Sequence, residues 1–225
     1  MKKEKIYPDS GVELSPFILK NYDKVMNIGS FGLYKGFIHK AIRQMEIQPD
    51  DAILDMGCGT GRNAELMLDY LSEKGSVTGI DLSEIMGVQF NERFKNDKRA
   101  TFIQSRIDQE FDLNKKFDKV FISFVIHGFP HEIRQTVIRN ARNHLKPDGA
   151  FIILDFGEFK LDEIPAFHRF IFKTIECKYA FDYVERDWKE ILKTFGFSDF
   201  KEEHYFKKYV RLLKAKIPRP EGRGN

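Results

Sequence analysis

The chain has 225 residues, of which 42% are hydrophobic and 32% charged, and its formal net charge is +3. This length favours one α/β domain with additions, and no apolar run approaches the ~20 residues that cross a bilayer. No cleavable signal peptide is expected, and Cys58 and Cys177 are too few for a disulfide framework or a cysteine-rich zinc site. A reducing, cytoplasmic setting is therefore expected.

The chain begins with two segments of helical pattern, at 14–26 and 31–45, which are separated by Gly29 and Ser30. Both precede the first strand-like run. Residues 1–46 are therefore expected to form a helical cap on a single domain that spans 1–225.

Strand-like and helix-like segments then alternate along the chain. Such alternation predicts a doubly wound α/β fold, in which a parallel sheet carries right-handed crossover helices. The sequence at 146–149, Lys-Pro-Asp-Gly, predicts a sharp turn before the fifth strand. The predicted strands are 52–56, 76–80, 100–104, 117–123 and 149–155, and the predicted helices are 62–73, 83–96 and 131–145.

A glycine-rich turn follows the first predicted strand. Residues 55–61 have the pattern Asp-x-Gly-x-Gly-x-Gly, and Arg62 stands where a dinucleotide-binding turn would have its third glycine. Glycines allow a tight bend and a close approach to a ligand, and the next helix directs its free N–H groups at the same place. Asp81 follows Gly61 by 20 residues and ends the second strand, where a carboxylate can hold ribose hydroxyls.

This combination resembles motif I of the class I S-adenosylmethionine (SAM) methyltransferases. An acidic residue near the turn suits the cationic sulfonium and ammonium groups of SAM. The resemblance implies that SAM is the cofactor and S-adenosylhomocysteine its product. It also implies a set of cofactor-binding residues at the turn and at the strand ends: Asp55, Gly57, Cys58, Gly59, Thr60, Gly61, Asp81, Leu82, Met86, Arg106, Ile107 and Ser123.

The segment that follows the fourth strand excludes several classes of methyl transfer. It lacks the Asn/Asp-Pro-Pro-Tyr/Phe motif of many amino-group methyltransferases, a cysteine nucleophile and an acidic metal site. His127 and His131 stand four residues apart, but Gly128 and Pro130 interrupt any helix between them, so no metal is expected. His127 is a candidate general base or a donor that positions the acceptor. The alternative is a loop histidine that caps the next helix.

An aromatic-rich insert follows the fifth strand at 158–183. Together with the N-terminal helices it is expected to cover the carboxyl edge of the sheet, as a lid over an apolar acceptor pocket. The alternative is ordinary packing of amphipathic helices on the sheet. The aromatic residues of the insert are Phe159, Phe167, Phe170, Phe172, Tyr179, Phe181 and Tyr183.

The C-terminal part is predicted to contain a helix at 185–195, two closing strands at 198–205 and 207–215, and a disordered tail at 218–225. Residues 201–225 carry eight Lys or Arg against three Asp or Glu. A basic end favours contact with anionic lipid or nucleic acid. The alternative is a solvated strand and tail, and no nucleic-acid partner is expected.

The longer resemblance is to the ubiquinone/menaquinone biosynthesis C-methyltransferase family. Residues 21–32 are similar to that family's Tyr-Asp…Asn…Ser-Phe-Gly segment, and 122–124 and 145–156 match its fourth and fifth strand segments. The resemblance covers roughly residues 20–215. It implies a seven-stranded, mostly parallel sheet with an antiparallel edge hairpin, and it places Tyr22 over the acceptor.

Two segments depart from that family. Residues 125–128 read Val-Ile-His-Gly where the family typically has Gly-Leu-Arg-Asn, and 105–108 differ from its usual Gly-Asp-Ala pattern. The acceptor can therefore differ even though the scaffold is shared.

The resulting hypothesis is SAM-dependent methyl transfer to a small apolar or aromatic acceptor, with C-methylation of a quinone precursor favoured. One alternative is methylation of another small molecule or a lipid head group at oxygen, nitrogen or sulfur. Another is a regulatory protein that binds SAM without catalysis. A peripheral membrane contact through the basic C-terminal end accompanies the favoured hypothesis. The oligomeric state is not predicted.

Overall fold

A single sheet organises the protein, whose structure is a computed structural model that describes residues 33–218. Its strands are β1 (Ala52–Met56), β2 (Ser76–Asp81), β3 (Ala100–Gln104), β4 (Phe117–Ser123), β5 (Leu145–Phe156), β6 (Ser198–Tyr205) and β7 (Val210–Lys216). Their order is β3-β2-β1-β4-β5-β7-β6. β1 to β5 pair in parallel, whereas β7 runs antiparallel to both of its neighbours, which confirms the predicted fold class.

Helices connect most of the parallel strands and cover the sheet. They are α1 (Leu33–Gln44), α2 (Arg62–Leu68), α3 (Glu84–Arg93), α4 (His131–His144), α5 (Ala166–Ile175), α6 (Lys178–Val184) and α7 (Trp188–Thr194). Short 3₁₀ turns occupy Ile126–Gly128 and Phe206–Lys208. No helix among the described residues is long and apolar enough to span a membrane.

The central strands are buried on both faces, as their nearly continuous apolar sequences predict. One core lies between the sheet and α4, α6 and α7, and it contains Leu54, Ile122 and Trp188. The other lies between the sheet and α1, α2 and α3, and it contains Ile53 and Phe90. Because side chains alternate along a strand, neighbouring residues of β1 enter opposite cores.

The predicted turn at 146–149 is wrong as the boundary of the fifth strand. β5 already begins at Leu145, which is buried and pairs with Phe117 of β4. Residues 146–149 form an irregularity in which the register shifts, and Asp148 has a φ of 63°. Lys146 stabilises it by donating to Asp118 over 2.8 Å. The Pro-Asp-Gly pattern therefore marks a bulge and not the start of the strand.

Two other predicted boundaries are also wrong. α2 ends at Leu68 and not at 73, because the chain after it is tied to the turn before β1, where Ser72 donates to the carbonyl of Pro49 over 2.7 Å. The last strand begins at Val210 and not at 207. Phe206, Lys207 and Lys208 all have positive φ values, of 49°, 56° and 73°, so they cannot continue a strand.

Some predictions fall on residues that the structure leaves undescribed. The helix predicted at 14–26, Tyr22 within it, and the tail from 219 onward all lie outside residues 33–218. The second N-terminal helix, predicted at 31–45, corresponds to α1.

Candidate active site

The glycine-rich turn joins β1 to α2 and is fastened to β2. The N–H groups of Gly57 and Cys58 both donate to the carbonyl of Ile80, over 2.8 and 3.0 Å. Gly61 has a φ of 82°, and a Cβ there would lie 2.6 Å from Phe94. Gly59 has a φ of 53°, and a Cβ there would meet nothing within 4 Å. Gly61 is therefore required by packing, whereas Gly59 borders open space that a ligand can fill.

Asp81 links the end of β2 to this turn. One carboxylate oxygen accepts from the N–H of Gly59 over 3.0 Å, and the other accepts from the N–H of Ser83 over 2.9 Å. Burial raises the pKa of Asp81, although these N–H donors oppose the rise. The predicted ribose-binding carboxylate thus lies directly beside the predicted turn.

Asp55 presents an unusual buried carboxyl group. It is 1% exposed, and its Oδ2 atom has no hydrogen-bond partner among the described residues. Burial, with a contribution from the nearby charge of Asp81, raises the pKa of Asp55 from 3.8 to about 7. A buried acceptor without a partner costs free energy, so this atom fits a ligand that brings a donor or a positive charge.

The remaining turn residues contribute mainly backbone or apolar surface. Cys58 is buried, and its sulfur lies where a Cβ on Gly79 would come within 2.6 Å, so its side chain packs on β2. Thr60 is also buried, and its carbonyl accepts from Arg93 over 2.9 Å. Only backbone atoms of this part of the turn can therefore reach a ligand without rearrangement.

Leu82 and Met86 follow β2 and differ in exposure. Leu82 is 45% exposed, which is unusual for leucine, and it presents an apolar side chain next to Asp81. Met86 is buried and donates its N–H to the N-capping hydroxyl of Ser83 over 3.3 Å. Of the two, Leu82 is the one available to cover a flat ring.

The predicted residues after β3 and β4 lie at the same edge of the sheet. Ser105 donates to the carbonyl of Asp81 over 3.1 Å, which fixes this loop beside β2. In that loop Arg106 pairs with Asp108 over 3.0 Å, and Ile107 is buried. Ser123 is partly exposed at the end of β4. All twelve predicted cofactor-binding residues thus lie in or beside the connections at the carboxyl ends of β1 to β4.

His127 lies in the 3₁₀ turn after β4 and between two carboxylates. Its Nδ1 atom is 2.7 Å from Oδ1 of Asp155, and its Nε2 atom is 3.7 Å from Oε2 of Glu176. Burial lowers the pKa of His127, but the charge and hydrogen bond of Asp155 and the charge of Glu176 outweigh it, so the pKa is raised above 6.5. The imidazole therefore contacts β5 and the insert, and it does not cap the next helix, whose N-cap residue is Pro130.

Arg134 fixes the position of this turn. It is fully buried in α4, donates to Asp182 of α6 over 2.6 Å, and donates to the carbonyl of His127 over 3.2 Å. Its guanidinium also lies over the ring of Tyr183, 5.3 Å from the centroid. The α4–α6 packing therefore determines where His127 stands.

An apolar cavity of about 350 Å³ opens between the insert and the end of β5. The insert forms one wall, as predicted for an acceptor pocket, and Tyr209 forms a wall that the sequence did not indicate. Among the described residues, neither α1 nor the turn after β4 contributes to the lining, so these two predicted walls are wrong for this cavity. His127 stands behind Glu176 and does not line the cavity. The lining residues are Phe156, Phe159, Ile164, His168, Phe172, Glu176 and Tyr209.

Sequence reasoning missed Arg134, Asp155 and Glu176. Asp155 is the last residue but one of β5, as Asp81 is the last of β2, and that position is a signal that could have marked it as a candidate. Arg134 lies in an ordinary amphipathic helix, and Glu176 follows α5 with no local motif. Their roles arise only from contacts between distant segments.

Comparisons with known proteins agree with this geometry. A family model described as "Methyltransferase domain" matches residues 53–149. Over 159 residues the chain is 28% identical to a demethylmenaquinone methyltransferase of Staphylococcus carnosus, an alignment that covers 70% of this chain and 65% of the relative. It is also 28% identical to a 2-phytyl-1,4-naphtoquinone methyltransferase of Synechococcus elongatus, covering 66% of this chain and 64% of the relative. The chain thus spans slightly less than two thirds of these relatives.

Solved structures share the fold at low sequence identity. A SAM-dependent methyltransferase from Aquifex aeolicus superposes with a TM-score of 0.66 at 19% identity, covering 91% of this chain and all of that one. The glycopeptide N-methyltransferase MtfA, solved with SAM, gives a TM-score of 0.62 at 18% identity and covers 80% of this chain and 87% of its own.

Proposed function

We propose that the chain is a class I SAM-dependent methyltransferase that methylates a small apolar or aromatic acceptor held in the cavity beside β5. The observation that carries the proposal is the buried Oδ2 of Asp55, which has no hydrogen-bond partner among residues 33–218 and stands beside an open glycine turn. A ligand with a cationic end satisfies this atom.

The residues of the glycine turn fit SAM. Asp55 is suited to the ammonium end, the backbone at Gly59 to the methionine moiety, Asp81 to the ribose hydroxyls and Leu82 to the adenine ring. When bound, SAM supplies an electrophilic methyl group on a sulfonium sulfur. The protein contributes position and exclusion of water, and correct placement of two reactants can lower a barrier by ~7–11 kcal/mol.

The favoured acceptor is an aromatic ring of the quinone-precursor type, methylated at carbon. The cavity lining of Phe156, Phe159 and Phe172 suits a flat apolar ring. The relatives named above act on quinone-type rings according to their names, which supports the same class. His127 is assigned a positioning role in this proposal, because it stands behind the cavity wall. Tyr22 lies outside the described residues, and a role for it at the acceptor stays a prediction from the family resemblance.

Calorimetry tests the donor first. SAM and S-adenosylhomocysteine should bind with micromolar-scale dissociation constants, and NAD should not bind. NAD binding without SAM binding would overturn the donor assignment.

A screen with SAM labelled in its methyl group then tests the acceptor. Naphthoquinol and benzoquinol rings should accept label at carbon, which the position of the label in the isolated product distinguishes from methylation at oxygen. Lipid head groups and small amines serve as controls for the alternative acceptors. Label in an amine or head group only would replace the quinone-type assignment, and no label in any acceptor would favour the regulatory alternative.

A peripheral membrane contact completes the proposal, since an apolar acceptor of this class resides in lipid. Phe167 and Phe170 of α5 are 70% and 69% exposed, and Phe206 is 49% exposed beside Lys207 and Lys208. His168 of α5 bonds to the hydroxyl of Tyr209 over 2.6 Å, so the two exposed segments adjoin at the cavity. Exposed aromatic side chains next to basic ones favour an anionic bilayer surface, here on the cytoplasmic side.

Vesicle co-sedimentation tests this contact. The protein should bind vesicles that contain phosphatidylglycerol more strongly than vesicles of phosphatidylcholine alone, and changing both Phe167 and Phe170 to Ser should weaken binding at least fivefold. Val88→Ser is the matched control, because Val88 is 64% exposed on α3. Equal losses in the two variants would refute the assignment to α5.

A further inference from the structure

Glu176 is the acidic residue of the cavity lining. It follows α5 directly, and its N–H donates to the carbonyl of Phe172 over 2.9 Å, so the end of the helix holds its backbone in place. The lining is otherwise composed of aromatic rings, Ile164 and His168. A carboxylate on an apolar wall is costly unless a ligand or a neighbour compensates its charge.

The charge of Glu176 is compensated by His127, which does not itself line the cavity. The Nε2 atom of His127 lies 3.7 Å from Glu176, and its Nδ1 atom lies 2.7 Å from Asp155. The former distance is an ion-pair distance and exceeds a hydrogen bond. One oxygen of Glu176 thus remains available to a molecule in the cavity.

The groups that face His127 come from four segments. Asp155 belongs to β5 and Glu176 follows α5, while Arg134 of α4 donates to the backbone carbonyl of His127, and the buried ring of Tyr183 in α6 lies 6.4 Å away. Two carboxylates against one buried guanidinium, itself paired with Asp182, favour a positive imidazole.

We propose that Glu176 binds the hydroxyl group of a phenolic acceptor and accepts its proton during methyl transfer, with the His127–Asp155 pair holding Glu176 in position. This inference rests on the proposed function, and it narrows the acceptor to aromatic rings that carry a hydroxyl group. An ionised carboxylate only accepts hydrogen bonds, so it favours an O–H group and disfavours an ether or carbonyl oxygen at the same place.

The proton and electron balance is complete without a further reagent. As the ring π electrons form the carbon–carbon bond to the donor methyl, the sulfur keeps the electron pair of the broken bond and the hydroxyl proton passes to Glu176. The ring carbon then releases its own proton to water, which restores the aromatic ring as an aryl oxide. Glu176 returns its proton to that oxygen, which regenerates the hydroxyl group and the carboxylate.

Binding measurements test the hydroxyl site without any requirement for methyl transfer. The probes are 1-naphthol and 1-methoxynaphthalene, which share a ring but differ in the ability to donate, and the protein is saturated with S-adenosylhomocysteine. The wild type should bind 1-naphthol at least tenfold more tightly than 1-methoxynaphthalene. Glu176→Gln should reduce this preference to about threefold or less and leave the affinity for 1-methoxynaphthalene unchanged. Glu163→Gln is the control, because Glu163 is exposed on the same insert.

The pH dependence separates positioning from a merely structural role. Burial raises the pKa of Glu176, and the charge of His127 opposes that rise. The hydroxyl preference should therefore decline as the pH falls through this pKa, and His127→Asn should move the decline to higher pH. In Glu176→Gln the preference should not vary with pH.

Three results would overturn the inference: equal affinity for the two probes, a preference that survives Glu176→Gln, or no binding of either probe. A Glu176-dependent preference in a protein that methylates no acceptor would support the hydroxyl site while refuting the proposed function.

Discussion

The proposed donor side and the proposed acceptor side of this site are built in different ways. The donor side consists mainly of backbone groups from residues 55–82. They are the N–H groups of the glycine turn and the carboxyl end of β2, to which the turn is hydrogen-bonded. On the acceptor side, side chains from β5, the insert and the turn before β7 line one cavity, and His127 of the turn after β4 contacts Glu176 of that lining. A site made of backbone groups restricts the residue types at consecutive positions of the sequence. A site made of side chains depends on residues that are far apart in the sequence.

The two sides also differ in where their positive charge comes from. Asp55 and Asp81 lie close together, and burial raises the pKa of both. Asp155 and Glu176 lie on either side of His127, whose pKa they raise. Carboxylates of the protein itself thus favour a positive imidazole on the proposed acceptor side. On the donor side, the partnerless Oδ2 of Asp55 leaves the positive charge to the ligand.

The largest expected effect concerns Asp55 and the charge comparison. Its pKa rises from 3.8 to about 7 on folding, so it binds its proton more tightly in the folded state. Its contribution to stability is therefore complete below pH ~4 and is lost as the pH rises through ~7. Without ligand, the free energy of unfolding should fall across that range by up to ~4 kcal/mol more in the wild type than in Asp55→Asn.

Denaturant titrations between pH 4 and 8 measure this difference. Saturating SAM is the control, because a cationic ligand favours the ionised carboxyl and should remove the decline. Parallel pH curves for wild type and Asp55→Asn would mean that the Asp55 carboxyl is compensated in the absence of ligand.

Two glycine substitutions distinguish packing from ligand contact within the glycine turn of the donor side. Gly61→Ala should lower the free energy of unfolding by ~2–4 kcal/mol, because it combines a positive φ with a clash against Phe94 and Phe90. Gly59→Ala meets no neighbour, so it should cost only ~1 kcal/mol of strain while it weakens SAM binding. Urea unfolding and calorimetry give the two quantities. Similar losses of stability in both variants would contradict the distinction between packing and ligand contact.

A substitution of His127 tests the acceptor side, which consists of side chains. His127→Ala should lower turnover of the acceptor by ~100-fold, with SAM affinity within twofold of wild type, because it releases Glu176 and removes the imidazole that pairs with Asp155. Steady-state kinetics and calorimetry measure these effects. His131→Ala is the matched control, since His131 begins α4 and its ring nitrogen pairs with Gln135. A loss of SAM affinity as large as the loss of turnover would mean that the donor side and the acceptor side do not act independently.

Asp81 should give the smallest effect of the series. Asp81→Ala should weaken SAM binding by ~1–3 kcal/mol, since the ribose hydroxyls lose a charged acceptor. Calorimetry measures the affinity, and a thermal melt accompanies it. The fold should survive, because Asp81 ends its strand and is partly exposed. Unchanged SAM affinity together with a collapsed melting temperature would instead show that Asp81 only ties the turn to β2.

The sequence allowed the proximity of the proposed donor-side residues to be predicted. Asp55, the glycines and Asp81 belong to one strand–turn–helix–strand unit, so their proximity follows from local geometry and parallel pairing. The acceptor side could be predicted only as an aromatic insert near a histidine. Glu176 and His127 are 49 positions apart, and their contact depends on how α5 and α6 pack. Neither periodicity nor a motif encodes such packing.

The predicted start of the fifth strand was wrong for a related reason. The turn residues at 146–149 were interpreted by their local preference, but pairing of Leu145 with Phe117 extends β5 through them. Tertiary pairing overrides local preference wherever a neighbouring strand is available.

The place of β7 has a consequence for how the protein is made. β7 is the last strand of the described chain, yet it inserts between β5 and β6 and pairs with β5 at seven positions, from Val210 to Lys216. During synthesis, the apolar edge of β5 stays unpaired until these residues leave the ribosome. Unpaired apolar edges are where nascent chains aggregate. The sheet therefore cannot close before residues 210–216 have been synthesised, and until then this edge is a surface for chaperones to protect.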